Sequence, residues 1–251
     1  MQAIILLGGK GTRLQGLFPD RPKALAPIAG CPFLEWQLAW LARHGIHDAH
    51  LAAGHLAQAI RNWVASTPLK SKITVSAEPS PLGTGGGLKF TEPFIRTDPF
   101  LILNGDSLLP NLDFQALADA GKKPGVLSTL AITRIESAGR YGTVEFDARK
   151  RVNAFREKAA HTSGWINGGV YLARRTLLTR INPGKLVSLE TDVFPALCAE
   201  GQLGVFLSEP PLLDMGTPDG IQNMERYLRN QATPNSVTPN PVTPNPVTHL
   251  V

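Results

Sequence analysis

A short apolar run, AIILL at residues 3–7, opens the chain, and runs of similar length return as DAHLAA, KITVSA and FLILN. The stretches between them have another rhythm. In PFLEWQLAWLARHG and LAQAIRNWVAS apolar residues recur every three or four positions, the period of an amphipathic helix. A third helix is predicted after the glycine-rich turn that follows KITVSAE. Short buried strands separated by helices predict β-α-β-α-β-α-β, a parallel sheet covered on both faces. The helix over residues 35–43 turns Phe33, Leu34, Trp36, Leu38, Trp40 and Leu41 into a broad apolar surface, and Gly45 closes it. After Gly121 the rhythm changes. GVLSTLAITRI, GTVEFD, RVNAFRE and GGVYLARR predict strands in quick succession, a more antiparallel region built onto the same sheet. A helix at about 191–200, a strand at LGVFLS and a last helix at about 218–230 complete the compact part.

Composition adds one domain and one tail to this picture. With 251 residues, 43% hydrophobic and 18% charged, the chain has enough apolar residues for one substantial core, placed over residues 1–230. Residues 231–251 repeat TPNSV, TPNPV, TPNPV and THLV, an extended, solvated Pro/Asn-rich tail that reads more readily as a dispensable repeat than as a docking arm. No run approaches the roughly 20 apolar residues of a spanning helix, and AIILL has no basic region before it, so a cytoplasmic address is expected and no membrane partner. Cys31 and Cys198 stand far apart and read as buried thiols rather than a disulfide or zinc site. A net charge of +5 points to an anionic partner. Its basic residues are scattered, without the stripe and interleaved aromatics of a nucleic-acid surface, so a phosphorylated small molecule is expected and no nucleic acid. The oligomeric state is not legible, and a homo-oligomer stays open.

The chemistry starts at GGKGTRL, directly after the first strand, where open parallel sheets bind ligands. Gly8, Gly9 and Gly11 let backbone amides approach phosphate oxygens, and Arg13 and Lys23 add positive charge. GxxxxGK[ST] is absent, and GxGxxG is not completed because Leu14 stands where the third glycine belongs. That separates the chain from nicotinamide-binding dehydrogenases.

LLGGKGTRL followed by PKALAPIAGCP resembles the signature of the sugar-1-phosphate nucleotidyltransferases. EPSPLGTGGG, LNGDS, RYGTV, FREK, INGGVY, LETDVFPAL and LLDMGTPD are similar to later segments of that family, in the same order, so that the resemblance covers about residues 1–230. The combination is most similar to the D-glycero-D-manno-heptose 1-phosphate guanylyltransferases, with mannose 1-phosphate guanylyltransferases and short uridylyltransferases nearby. The resemblance implies an α/β, Rossmann-like three-layer fold of the glycosyltransferase-A type, with a mixed central sheet and an added strand-rich sugar-binding region. It also implies that GTP and a sugar 1-phosphate give a GDP-sugar and pyrophosphate with Mg2+, for surface polysaccharide. A sugar 1-phosphate is already mostly a dianion near neutral pH, with a second pKa of about 6, so positioning and charge neutralisation matter more than a general base.

By the same resemblance Leu7, Gly8, Gly9, Gly11 and Thr12 hold the nucleotide. Arg13 clamps the departing β and γ phosphates, Lys23 meets the α phosphate, and Asp106 and Asp214 are the magnesium ligands, oxygen donors of the kind that ion takes. Glu157 accepts from sugar hydroxyls, Lys158 neutralises the sugar phosphate, and Gly142 and Asn167 are further sugar contacts. Glu78, Gly83 and Thr84 line the base and ribose. A carboxylate at Glu78 is acceptor-only and suits the two adjacent donors of guanine, although related uridylyltransferases also carry acidic residues in this region, which keeps uracil open. Glu190 and Asp192 fit a helix cap and a sugar contact equally. Heptose and mannose are not separable by motif. His44, His47 and His50 are interrupted by Gly45 and predict no shared metal face. An active transferase is preferred over a non-catalytic nucleotide-sugar-binding regulator because Gly11, Arg13, Lys23, Asp106 and Asp214 are all intact.

Overall fold

The computed structural model describes residues 1–9, 21–69, 71–136, 141–156 and 163–231. β1 (Gln2–Leu7) enters the core at once, with Ala3, Ile4 and Ile5 fully buried. A small hairpin, β2 (Pro27–Ile28) and β3 (Cys31–Pro32), leads into α1 (Phe33–Arg43). Glu35 in the first turn and Arg43 in the last complement the helix dipole. The helix ends in a Schellman motif: Gly45 at φ +75° donates to the Ala42 carbonyl and Ile46 to the Leu41 carbonyl, both at 3.0 Å.

β4 (Asp48–Ala53), α2 (Ala57–Ser66), β5 (Lys72–Ala77), α3 (Gly83–Phe90) and β6 (Phe100–Asn104) complete the expected alternation. β1 pairs in parallel with both β4 and β6, and β4 in parallel with β5. The chain therefore runs outward from β1 to β5 and crosses back to β6 on the other side. That reversal opens a crevice at the carboxyl ends of β1 and β6, the place where such sheets take ligands.

After β7 (Ser107–Leu108) and α4 (Phe114–Ala120) come β8 (Ser128–Ile135), the hairpin strands β9 (Thr143–Phe146) and β10 (Val152–Arg156), and the ten-residue β11 (Gly164–Ala173). A π-helical turn (Leu189–Val193) runs into α5 (Phe194–Ala199), followed by β12 (Leu203–Ser208), β13 (Leu213–Asp214) and α6 (Pro218–Arg229). Pair directions give a spine β12-β8-β11-β6-β1-β4-β5 in which β11 alone runs against the rest. One edge of β11 meets β8; the other meets β6 over Val170–Ala173 and β9 at Ile166. The predicted α/β fold with an added antiparallel region is the observed one.

Alternation along the strands feeds two cores. Ala3, Ile5 and Leu7 of β1 and Leu101 and Leu103 of β6 face α1 and α6. Ile4, Phe100 and Ile102 face Leu88 of α3 and Phe194 and Leu197 of α5. Each fully buried side chain of this size contributes about 1.5–3 kcal/mol. Cys31 and Cys198 correct the expectation of buried thiols: both are half-buried and free. Burial pushes both thiols up, helped at Cys31 by the charge of Glu35. Among the described residues no helix is long and apolar enough to cross a membrane.

His50, in the middle of β4, is fully buried. Its Nδ1 lies 2.8 Å from Thr74 Oγ1 and its Nε2 2.9 Å from Ser76 Oγ, and its ring stacks on Phe94 with centroids 4.5 Å apart. Desolvation, then the Arg96 charge, pull its pKa down to about 4 against a partial rise from Asp48. Above pH 6.5 the ring is neutral folded and unfolded. As pH falls, the unfolded chain takes up the proton first, so this stability is lost between pH 6.5 and about 4. Urea unfolding should show a slope approaching about 1.4 kcal/mol per pH unit in that window, flattened in His50→Gln.

Candidate active site

The carboxyl ends of four neighbouring parallel strands deliver Gly8, Gly54, Glu78 and the turn Asn104–Ser107 to one crevice. A Cβ on Gly54 would lie 2.5 Å from Glu78 Oε1 and 2.8 Å from the Gly8 Cα, so the three are in direct contact. Glu78 is half-buried there, its backbone N–H bonded to the Ala53 carbonyl at 2.9 Å and its carboxylate accepting from the Leu82 N–H. Burial pushes its pKa up, partly offset by that hydrogen bond. Leu7 ends β1 with its side chain in the core, and Gly9 follows exposed at the rim. Gly11, Thr12 and Arg13 lie outside the described residues, as do Glu157, Lys158 and the tail beyond residue 231.

Asp106 follows β6 by two residues. Lys23, in a single helical turn after Pro22, places its Nζ 2.7 Å from Asp106 Oδ2. The pair is open to solvent on the carboxylate side, with Asp106 42% exposed and Lys23 18%, so a ligand can reach it. Asp214 arrives from a distant part of the chain. β13 pairs antiparallel with β7, setting Asp214 opposite Ser107, and the Met215 N–H donates to the Asp106 carbonyl at 2.9 Å. Asp214 Oδ1 accepts from the Gly216 N–H at 2.8 Å, and Oδ2 accepts from the Tyr141 hydroxyl. Two carboxylates, an exposed one in the turn before β7 and one on β13 paired with β7, fit a small hard cation that completes its shell with phosphate oxygens and water.

Asn167, Tyr171, Glu190, Thr84 and Ser188 share one network. β11 slips register between Asn167 and Val170, and Gly169 takes φ +72°. Asn167 Oδ1 accepts from the Gly169 N–H at 2.9 Å, and its Nδ2 donates to the Tyr171 hydroxyl at 2.9 Å. Tyr171, fully buried, donates to Glu190 Oε1 at 3.2 Å. Burial, then the Glu190 charge, push its phenol well above the usual range. Glu190 Oε2 accepts from Thr84 Oγ1 at 2.7 Å and Ser188 Oγ at 3.0 Å. Asp192 is a cap, accepting from the Ser188 N–H at 2.7 Å, while Ser188 Oγ accepts from the Thr191 N–H. Gly142 abuts the Arg156 carbonyl, 2.9 Å from where a Cβ would sit.

Gly83 and Thr84 have neighbours within their own chain. Gly83, at φ +74°, would put a Cβ 2.4 Å from the Val187 carbonyl oxygen, and that oxygen accepts from the N–H groups of Gly85 and Gly86 at 2.9 and 3.1 Å. The Thr84 hydroxyl donates to Glu190 and accepts from the Leu189 N–H at 2.8 Å. Residues 185–189 thus pack directly on the backbone of this glycine-rich turn. Tyr141 is the site neighbour that sequence reasoning missed; its signal was its place just before Gly142 in RYGTV.

The profile of the nucleotidyl transferase family matches residues 2–231. The chain belongs to that family. It is 32% identical over 230 residues to the D-glycero-alpha-D-manno-heptose 1-phosphate guanylyltransferase of Aneurinibacillus thermoaerophilus, covering 92% of this chain and 99% of that one. It is 34% identical over 223 residues to the mannose-1-phosphate guanylyltransferase of Mycobacterium tuberculosis, covering 87% of this chain but 62% of that relative, which is longer. The crystal structure of HddC from Yersinia pseudotuberculosis complexed with GMP-PN superposes with a TM-score of 0.81 at 27% identity, covering 90% of this chain and 99% of that one.

For a nucleotidyl transferase the Gly169 bulge has a direct consequence at Asp106. A Cβ on Gly169 would lie 2.5 Å from Ser107 Oγ and 3.1 Å from Asn104 Nδ2, in a positive-φ backbone. Gly169→Ala should push the Asn104–Ser107 turn aside and lower kcat by about tenfold or more. Circular dichroism should show the fold retained in that variant.

Proposed function

We propose that this chain is a magnesium-dependent guanylyltransferase that joins GTP to D-glycero-alpha-D-manno-heptose 1-phosphate, releasing pyrophosphate and a GDP-sugar for surface polysaccharide, in the cytoplasm where GTP is made. The observation that carries the reading of the base is Glu78. A half-buried, acceptor-only carboxylate against Gly8 is stabilised by a ligand that brings donors to it, and the guanine edge presents N1–H and the exocyclic amine side by side. Uracil would set a carbonyl oxygen against the same carboxylate. The heptose assignment is supported by the relative that this chain matches almost end to end. Mannose 1-phosphate is the second reading, favoured by the 34% identity to the mycobacterial enzyme.

In this reading an oxygen of the sugar phosphate attacks the α phosphorus, and the bond to the β-phosphate oxygen breaks in line. Asp106 and Asp214 would hold Mg2+, which neutralises triphosphate charge when bound. Lys23, which lies beside Asp106, would meet the α phosphate, and Arg13 would serve the leaving pyrophosphate. Gly142, Glu157 and Asn167 bind sugar hydroxyls, and Lys158 the sugar phosphate. The Gly8 and Gly9 backbone, with Gly11 and Thr12, lies along the nucleotide.

Pyrophosphate release should be measured with the four ribonucleoside triphosphates and dTTP against heptose, mannose and N-acetylglucosamine 1-phosphates. Turnover confined to GTP with a manno-configured sugar is expected, and turnover with UTP and the amino sugar would overturn the assignment. Asp106→Asn should lower kcat by at least about a hundredfold with the melting temperature preserved. Glu78→Gln should shift kcat/KM away from GTP toward UTP by about tenfold or more, and an unchanged ratio would show that other groups read the base.

A further inference from the structure

Gln37 is the polar exception in the buried run of α1. It is fully buried, with Trp36 and Leu38 on either side in the core. A buried amide costs free energy unless its hydrogens are matched, and both N–H bonds of Gln37 are. Nε2 lies 2.9 Å from the Asn104 carbonyl and 3.1 Å from the Ser107 carbonyl. Those two carbonyls bracket Gly105 and Asp106, so one planar amide grips both ends of the turn that carries Asp106. Ser107 is also the residue opposite Asp214 in the β7–β13 pair. The same grip thus bears on the spacing of the two carboxylates.

We propose that Gln37 is a positioning residue for the metal–triphosphate site, setting the Asp106 carboxylate and its register with Asp214 through the Asn104 and Ser107 carbonyls. It touches no substrate. Three polar atoms of this cluster, Gln37 Oε1, Asn104 Oδ1 and Ser107 Oγ, are buried with no partner among the described residues. A helix interior has no packing use for an amide in such surroundings, where Leu or Met would fill the space without that cost. Here the amide is used by the turn, whose two carbonyls it joins. The β2–β3 hairpin that follows Lys23 leads straight into α1, so the helix that carries this amide is also the anchor of the segment that brings Lys23 to Asp106.

The inference rests on the proposed role of Asp106 in holding Mg2+, and the experiment separates the two. Binding of GTP without sugar phosphate is measured by calorimetry on the full chain, with Mg2+ and with EDTA, and the ratio of the two affinities is the metal-dependent gain. Gln37→Met, close in volume and without donors, should keep the EDTA affinity within about twofold and lose about tenfold of the gain, the scale of an outer-shell support for a metal ligand. An unchanged gain, with only a lower melting temperature, would reduce Gln37 to a packing role and overturn the proposal. Should Gln37→Met not fold, Gln37→Asn keeps the amide but is too short to span both carbonyls, and the same loss or retention of the gain decides. Asp106→Asn is the control. If it retains the gain, the metal assignment fails first; if the chain binds UTP in place of GTP, the ratio is read with UTP and only the base assignment falls.

Discussion

The parallel pairing of β1 with β6, in register from Ala3 opposite Leu101 to Leu6 opposite Asn104, is the constraint on which the site depends. Both strands end at the same level, so Gly8 and Gly9 after one and the Asn104–Ser107 turn after the other open into the same space. β4 and β5 extend that level outward and bring Gly54 and Glu78 to the first glycines. Nothing in this arrangement needs the four segments to be close in sequence. It needs the strands to be buried on both faces, and the alternating Ala3, Ile4 and Ile5 secure that.

The one reversed strand of the spine, β11, divides the labour of the crevice. It continues the sheet beyond β6 while its first half turns to β9, beside Gly142. Glu190 then ties that strand back to the start of α3 through Tyr171 and Thr84. Among the described residues its carboxylate accepts from the neutral hydroxyls of Thr84, Tyr171 and Ser188, so the link is a hydrogen-bond network rather than an ion pair. Such a network is stiff when every member is matched and weak when one is lost.

The sheet was legible because buried strands and helical periods leave distinct marks. Asp106 and Asp214 were named together through resemblance alone. The pairing that sets Asp214 opposite Ser107 has no local mark, since it arises from two strands of two residues, too short to leave a pattern. Gln37 was hidden in an apolar helix whose period it does not disturb. Thr84 and Glu190 were read separately, as a ligand contact and as a cap or sugar contact, because a hydrogen bond across 106 residues has no local signature.

The glycines at 83 and 86 bear on how this chain can change over generations. Each would bring a Cβ to 2.4 Å from a backbone carbonyl oxygen, of Val187 at the first and Lys185 at the second. A clash with a side chain can be relieved by trimming that side chain elsewhere in the gene. A carbonyl is the same in every residue, so no second substitution at 185 or 187 removes the obstacle. A side chain at either position would therefore require the backbone at 185 or 187 itself to move, which no exchange of side chains in that segment supplies.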